Sequence, residues 1–263
     1  MAKRMEPAAV WAAYRNGHDA VRGWLADLAP EHWTGPSVLP GWTVADLAAH
    51  IALVADSVTA TAAAPRGVAA HSLGEYLTTY APVAGELSER TLAIARAAEY
   101  DKDGILAAID ERFAAATHTV EERGMDDAVL TTRRIPVRQA DYLLTRVIEI
   151  AIHADDLARS VPTVPAPAVP RDTIRLAVRT LLDVLAERAP GRSVEVRVAP
   201  YAAVQCIEGP RHTRGTPPNT VDLTPPLWLR LAGGRTTWAD EVAAGAVLAS
   251  GQRADLSAYL PLL

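Results

Sequence analysis

Apolar side chains recur at helical spacing through most of the first 160 residues. Val10, Tyr14, Val21, Trp24, Leu25 and Leu28 follow one face of a first helix. Thr43 to Asp46 has the form of a capping box with Asp in place of Glu, and it opens a helix carrying Leu47, Ile51 and Val54 on one side. Residues 72–100 are helical in tone, with Pro82 and Gly85 as a break or kink. Residues 104–122 form a further helix, and Pro136 precedes a long one that runs past residue 153. Four or five helices joined by moderate loops predict a helical bundle.

The period changes after Val161–Pro170, which holds four prolines in ten residues. Each proline fixes φ and lacks a backbone donor, so the run reads as a semi-rigid linker. It divides the chain into a bundle over 1–160, a linker over 161–170 and a second domain over 171–263. In that domain Arg171–Arg188 is a helix whose stripe is Ile174, Val178, Leu181, Leu182 and Leu185. Ser193–Ala199 alternates as a half-buried strand, with Ala202–Glu208 as its neighbour and Thr220–Leu223 as a third. Residues 209–219 are a loop by composition, and 227–231, 238–244 and 255–260 read as short helices. The predicted fold class is therefore α followed by α+β: a bundle, then a small sheet covered by helices.

Composition narrows the function classes. The 263 residues are 49% hydrophobic, enough for sizeable cores, but Phe occurs only at Phe113. The cores must be built from Ala, Leu, Val and Ile with a few Trp anchors. A net charge of -5, with no basic cluster interleaved with aromatics, argues against nucleic-acid binding. The single cysteine, Cys206, excludes an internal disulfide framework and a Cys-based metal cluster, and reads as a buried inert thiol. No apolar run is long enough to span a membrane, and no apolar segment of a signal peptide follows the first residues, so a cytoplasmic protein is expected.

The chemistry concentrates in residues 147–153, VIEIAIH, where Glu149 and His153 stand one helical turn apart in an apolar stretch. A buried carboxylate needs compensation worth several kcal/mol. His50 lies three residues after Leu47 and four before Val54, on the face expected to be buried. Two bundle helices could bring the three groups to one point. That His₂Glu set suits Zn²⁺ with a fourth position left to water or substrate, and Ni²⁺ or Fe²⁺ accept the same donors. Spacing alone leaves simpler readings open: a hydrogen-bonded core histidine, or Glu149 paired with Arg146 at i,i+3 or with another arginine across the bundle. Trp33 and Trp42 read as packing of a loop onto the bundle, and Asp46 as the cap partner of Thr43. Asp155 and Asp156 read as a solvated helix end, with a hydrogen bond to a ligand imidazole as the alternative. His18 reads as a surface or core histidine, and the C-terminal LSAYLPLL as a segment docked on the second domain.

Residues 33–50, WTGPSVLPGWTVADLAAH, and 146–157, RVIEIAIHADDL, resemble the two signatures of the mycothiol-dependent maleylpyruvate isomerase N-terminal family, a branch of the DinB-like metal-binding four-helix bundles. The likeness covers roughly the first 160 residues in order and helix count. It implies His50 from the first motif, with Glu149 and His153 from the second, as metal ligands. It also implies mycothiol as a thiol cosubstrate and isomerisation or S-transfer on a small electrophile. A metal-held thiol loses its proton near neutral pH and attacks an electrophilic carbon. Mycothiol is an actinobacterial thiol, in keeping with a chain whose 26 basic residues include only Lys3 and Lys102 as lysines. Residues 212–222, 227–245 and 248–263 resemble a bacterial sterol-carrier-like domain over roughly 171–263. The family uses an arginine from a related C-terminal domain to hold substrate, and Arg214, beside His212 in a Gly/Pro-rich loop, is the candidate here. The sterol-carrier likeness implies a second possible function: carriage of a sterol, lipid or other hydrophobic ligand, with the bundle as structural partner. A relative that keeps its metal for stability alone is a third.

Overall fold

The structure, a computed structural model, describes residues 5–210 and 219–263. The chain divides into two compact units, Met1–Thr173 and Ile174–Leu263.

Four long helices dominate the first unit: α1 (Pro7–Asp27), α3 (Val44–Thr59), α6 (Lys102–Arg123) and α7 (Gln139–Ser160). The short α2 (Pro30–Trp33) leads into α3, and α5 (Ala84–Ala97) packs on α3. The stretch expected to be helical from 72 to 100 is broken, as Pro82 requires. It forms α4 (Leu73–Thr78), a 3₁₀ turn at Ala81–Val83, and then α5. Local chemistry sets the helix ends. Thr43 and Asp46 complete a capping box on α3, Ser72 and Glu75 do the same on α4, and Asp101 caps α6. Helix α7 has no side-chain cap from its own N-cap residue; Asp127 Oδ1 accepts from Ala140 N at 3.0 Å instead.

Helices α3 and α7 are buried almost all round, which marks them as the central pair. Trp33, Leu47, Ile51, Ile105, Ile109 and Leu143 fill the core, as the scarcity of Phe required. A small antiparallel sheet of β1 (Ala62–Ala63), β2 (Val129–Thr131) and β3 (Val137–Arg138) lies beside the helices. No sequence periodicity announces it, because strands of two or three residues are too short to alternate. The Pro-rich run is tied down: Trp24 Nε1 donates to the Pro165 carbonyl at 2.6 Å.

The second unit holds most of α8 (Arg171–Arg188), then β4 (Val194–Val198), β5 (Ala202–Cys206), β6 (Thr220–Asp222), α9 (Pro225–Ala232), α10 (Trp238–Ala243) and β7 (Leu248–Ser250). The strand order is β5-β4-β6-β7, with β4 and β6 parallel and the other pairs antiparallel. Val194, Val196 and Val198 point inward as the alternation predicts. Strand β7 was not expected from the sequence; its residues are all exposed, so no apolar alternation marks it. The last expected helix is only a 3₁₀ turn at Ser257–Tyr259. The C-terminal segment docks: Leu262 is buried and its N–H donates to the Ala232 carbonyl at 2.8 Å. Cys206 is buried, and burial pushes its thiol up to about 11. At Gly191 a Cβ would lie 2.0 Å from the Ile207 carbonyl oxygen at φ +152, so only glycine fits there.

His18 is a core histidine. It is 2% exposed, it stacks on Phe113 with ring centroids 3.8 Å apart, and its nearest polar contact is a long one, Nδ1 to Asp19 Oδ1 at 3.6 Å. Burial pushes it from 6.5 down to about 4, against a smaller upward pull from Asp19. The unfolded chain therefore binds a proton that the folded one refuses. Its contribution to stability is complete above about pH 6.5 and is lost as pH falls toward 4, by on the order of 3 kcal/mol. Urea melts at pH 7 and pH 4.5 check this. The loss is expected to shrink in His18→Leu, and an unchanged pH slope in that variant would exclude His18 as its source.

Candidate metal centre

Helix α7 carries Arg146, Glu149, His153 and Asp156 among its buried and part-buried side chains. Their spacing of three, four and three places them along one stripe. The stripe faces His50 on α3. Glu149 Oε2 lies 3.1 Å from His153 Nε2 and 3.8 Å from His50 Nε2. The two imidazole rings sit 4.7 Å apart, nearly perpendicular. One donor atom from each of the three residues lies within 4.8 Å of the others.

Each imidazole is oriented through its other nitrogen. His153 Nδ1 is 3.1 Å from Asp156 Oδ2, and His50 Nδ1 is 2.9 Å from the Thr91 hydroxyl on α5. Asp156 and Thr91 are fully buried. Asp156 is thus the imidazole's partner, which corrects the expectation of a solvated helix end. Thr91 carried no sequence signal, because a threonine on an amphipathic helix is unremarkable until its neighbours are known. Trp33 packs in the core as expected, while Trp42 stands with its ring 5.4 Å from that of His50 and donates through Nε1 to Ser88 Oγ at 3.3 Å.

The electrostatics match a charged cluster out of water. Burial works to raise the Glu149 carboxyl, but hydrogen bonds from His153 and His50 and the charge of Arg146 outweigh it and hold the group well below the usual range. Burial lowers His50. For His153 burial is outweighed by Asp156 and Glu149, and the imidazole is raised. Arg146 is 3% exposed. It donates to Tyr80 Oη at 2.5 Å, Ser57 Oγ at 2.7 Å and Thr145 Oγ1 at 3.0 Å, and stands 3.9 Å from Glu149 Oε1. The alternative Glu149–Arg146 pairing is therefore present, but as a long contact that leaves Oε2 facing both histidines.

These residues fit a divalent cation. Both Nδ1 atoms are held by partners outside the cluster, so both Nε2 atoms are turned inward, and they converge on one carboxylate oxygen. Separations of 3.1 and 3.8 Å bracket the roughly 3.4 Å edge of a tetrahedron built on metal bonds of about 2.1 Å. His50 and Glu149 also line a cavity of about 330 Å³, walled further by Val54, Tyr76, Tyr80, Tyr142 and Arg146. Arg214 and His212 lie outside the described residues.

A four-helix bundle with a His₂–Glu cluster between its central helices, followed by a small mixed sheet with helices, defines a two-module protein. Residues 14–158 match the family model of the mycothiol maleylpyruvate isomerase N-terminal domain, and the chain belongs to that family. Residues 170–262 match the model described as a bacterial SCP ortholog. Among solved structures, a crystal structure of the mycothiol-dependent maleylpyruvate isomerase is similar, with a TM-score of 0.60 and 16% identity over 94% of this chain and 93% of that one. A mutant of the same name aligns with a TM-score of 0.60 at 17% identity and the same coverage. At such identity the likeness speaks for the fold. No curated protein sequence matches the chain. Among the described residues no helix is long and apolar enough to cross a membrane.

Proposed function

We propose that His50, Glu149 and His153 hold a divalent cation, with zinc the first candidate and nickel or iron admissible on the same donors. On this reading the protein is a thiol-dependent isomerase or S-transferase that uses mycothiol and acts on a small electrophile. The observation that carries it is the convergence of three donors from two distant helices, two of which, His50 and Glu149, line a cavity sized for a small molecule. A bound cation supplies Lewis acidity, lowering the pKa of a thiol so that thiolate is present near neutral pH. The chain's own residues do the rest. Asp156 and Thr91 fix which imidazole nitrogen faces Glu149, Glu149 supplies negative charge, and Leu53, Val54 and Val83 give the cavity apolar surface that limits water. We assign 1–160 as the metal-binding domain, 161–170 as the linker and 171–263 as the sterol-carrier-like domain.

Elemental analysis of the as-isolated protein, paired with a thermal-shift titration with mycothiol, tests the reading. One divalent ion per chain is expected, with a rise in melting temperature on adding mycothiol to the loaded form only. A protein that takes up no divalent ion on dialysis against zinc would overturn it. Asp156→Asn is expected to weaken metal affinity by about 10-fold or more while the bundle stays folded, since partners of ligand imidazoles contribute about 10–100-fold. Competition with a chromophoric chelator measures this, and unchanged affinity would reduce Asp156 to a packing role.

The match of 170–262 to the bacterial SCP ortholog model favours a second reading, carriage of a hydrophobic ligand by the second unit. Native mass spectrometry of gently purified protein separates the two. Lipid without metal supports the carrier, and metal without lipid supports the enzyme.

A further inference from the structure

Three tyrosines line the cavity beside the cluster, Tyr76, Tyr80 and Tyr142. The Tyr142 hydroxyl is spent on α3, where it donates to the Ser57 carbonyl at 2.6 Å. Tyr80 stands between α4 and the 3₁₀ turn at Ala81–Val83, and its Oη accepts from Arg146 Nη2 at 2.5 Å. A guanidinium only donates, so the proton of the Tyr80 hydroxyl is not used in that contact. Among the described residues no acceptor takes it. The ring is fixed from two further sides. The Arg134 guanidinium lies over its face at 3.9 Å, and the Tyr76 ring stands nearly perpendicular with centroids 6.2 Å apart. Burial raises the Tyr80 phenol above its usual range, against the charges of Arg146 and Arg134, so at neutral pH the hydroxyl keeps its proton. Tyr80 is thus an unspent, oriented donor on the wall of the cavity.

We infer that Tyr80 is a catalytic residue of this site: its O–H donates a hydrogen bond to the ligand oxygen on which negative charge gathers during thiol addition. The inference rests on the proposed function and adds to it a donor that neither the metal ligands nor their partners supply. In the addition a C–S bond forms at the carbon β to a carbonyl, and the C=C electron pair shifts so that the carbonyl oxygen becomes an enolate oxygen. The same pair returns as the C–S bond breaks, and the proton stays on Tyr80 throughout. Two features suit the phenol to this step. Its partner on the other side is a permanent cation, and hydrogen bonds in such a chain strengthen one another, so the phenol oxygen leans on Arg146 as its proton is drawn toward the enolate. Its ring is also held in place by Arg134 and Tyr76, so the donor need not reorganise as charge develops. One such donor contributes on the order of 100- to 1,000-fold in rate. Arg146 acts only through Tyr80. Its nitrogens already serve Thr145, Ser57, Val54 and Tyr80, which makes it a positioning residue.

Absorbance titration of bound 4-nitrophenol, whose phenolate is a flat oxyanion like an enolate, tests the inference in the full chain, as isolated and after dialysis against zinc. The probe on the parent protein is expected to ionise at least about one pH unit below the probe on Tyr80→Phe, a roughly tenfold change in its ionisation constant, because a hydrogen bond to the charged form favours it. Zinc content and the circular dichroism of the variant are expected to match the parent. Tyr80→Phe also takes an acceptor from Arg146, so a second replacement separates donation from packing. Incorporation of 3-fluorotyrosine in place of Tyr80 keeps the ring and the hydroxyl but makes a more acidic donor, and it is expected to move the bound probe further toward phenolate than the parent does. Should Tyr80→Phe fail to fold, the fluorinated protein decides alone. Equal ionisation of the probe on the parent and on folded Tyr80→Phe, no displacement by the fluorinated residue, or a parent protein that binds no nitrophenol would overturn the assignment. A protein that loads with zinc while its bound probe ignores Tyr80 refutes this inference alone. One whose bound probe depends on Tyr80 while it takes up no zinc refutes the proposed function alone.

Discussion

Glu149→Gln and His153→Ala are each expected to lose divalent-metal affinity by at least about a hundredfold, a larger effect than the about 10–100-fold that changes behind the ligands produce. The two variants fail for different reasons. Gln keeps the shape of Glu149 but removes the only charge among the three donors, and a neutral amide oxygen is a poor ligand for a zinc-like ion. Ala at 153 removes an imidazole that is 4% exposed and takes one partner from the buried Asp156 carboxylate, which keeps Arg159 at 3.8 Å, so part of its effect is a loss of stability. Glu149→Gln is therefore the cleaner test. Elemental analysis after dialysis against zinc, with circular dichroism to establish folding, reads both. If folded Glu149→Gln retained a full equivalent of zinc, the cation site would have to lie elsewhere.

Arg146→Met is expected to destabilise the metal-free protein by about 3 kcal/mol, measured by urea denaturation. The substitution fills most of the same volume but takes the nearest positive side chain from Glu149, and it removes a donor from Tyr80 Oη and from Ser57 Oγ, the latter keeping the Tyr142 hydroxyl at 3.1 Å. In the metal-loaded protein the loss should be smaller. There the cation compensates Glu149 and is itself repelled by the guanidinium. By linkage, the same variant should bind metal more tightly than the parent. An equal loss of stability in both forms would mean that Arg146 acts through packing and hydrogen bonds alone.

The elements that repeat a local rule over many residues were the ones that could be read in advance. The apolar spacing of α1, α3 and α7, the Thr43–Asp46 box and the alternation of β4 each depend on neighbours within one or two turns, and each appears where expected. The failures have equally local causes. Strands β1, β2 and β3 hold two or three residues each, and β7 has no buried face, so none carries a period. The pair Asp155 and Asp156 just past His153 reads as a solvated helix end, and Asp156 departs from that reading. It is buried because α7 is central and continues to Ser160.

The order of donors along α7 and the presence of His50 on an apolar face were properties of the chain itself, since 3.6 residues per turn convert spacing into direction. Which atoms meet was not. That Glu149 turns one oxygen to both histidines, that Thr91 backs His50 from another helix, and that Arg134 is held on Tyr80 beside the same cavity all depend on residues dozens of positions apart. Only the packing of α3, α5 and α7 and the placement of the β2–β3 turn bring them together, because side-chain hydrogen bonds and ion pairs act over a few ångströms and periodicity says nothing about partners beyond its own element.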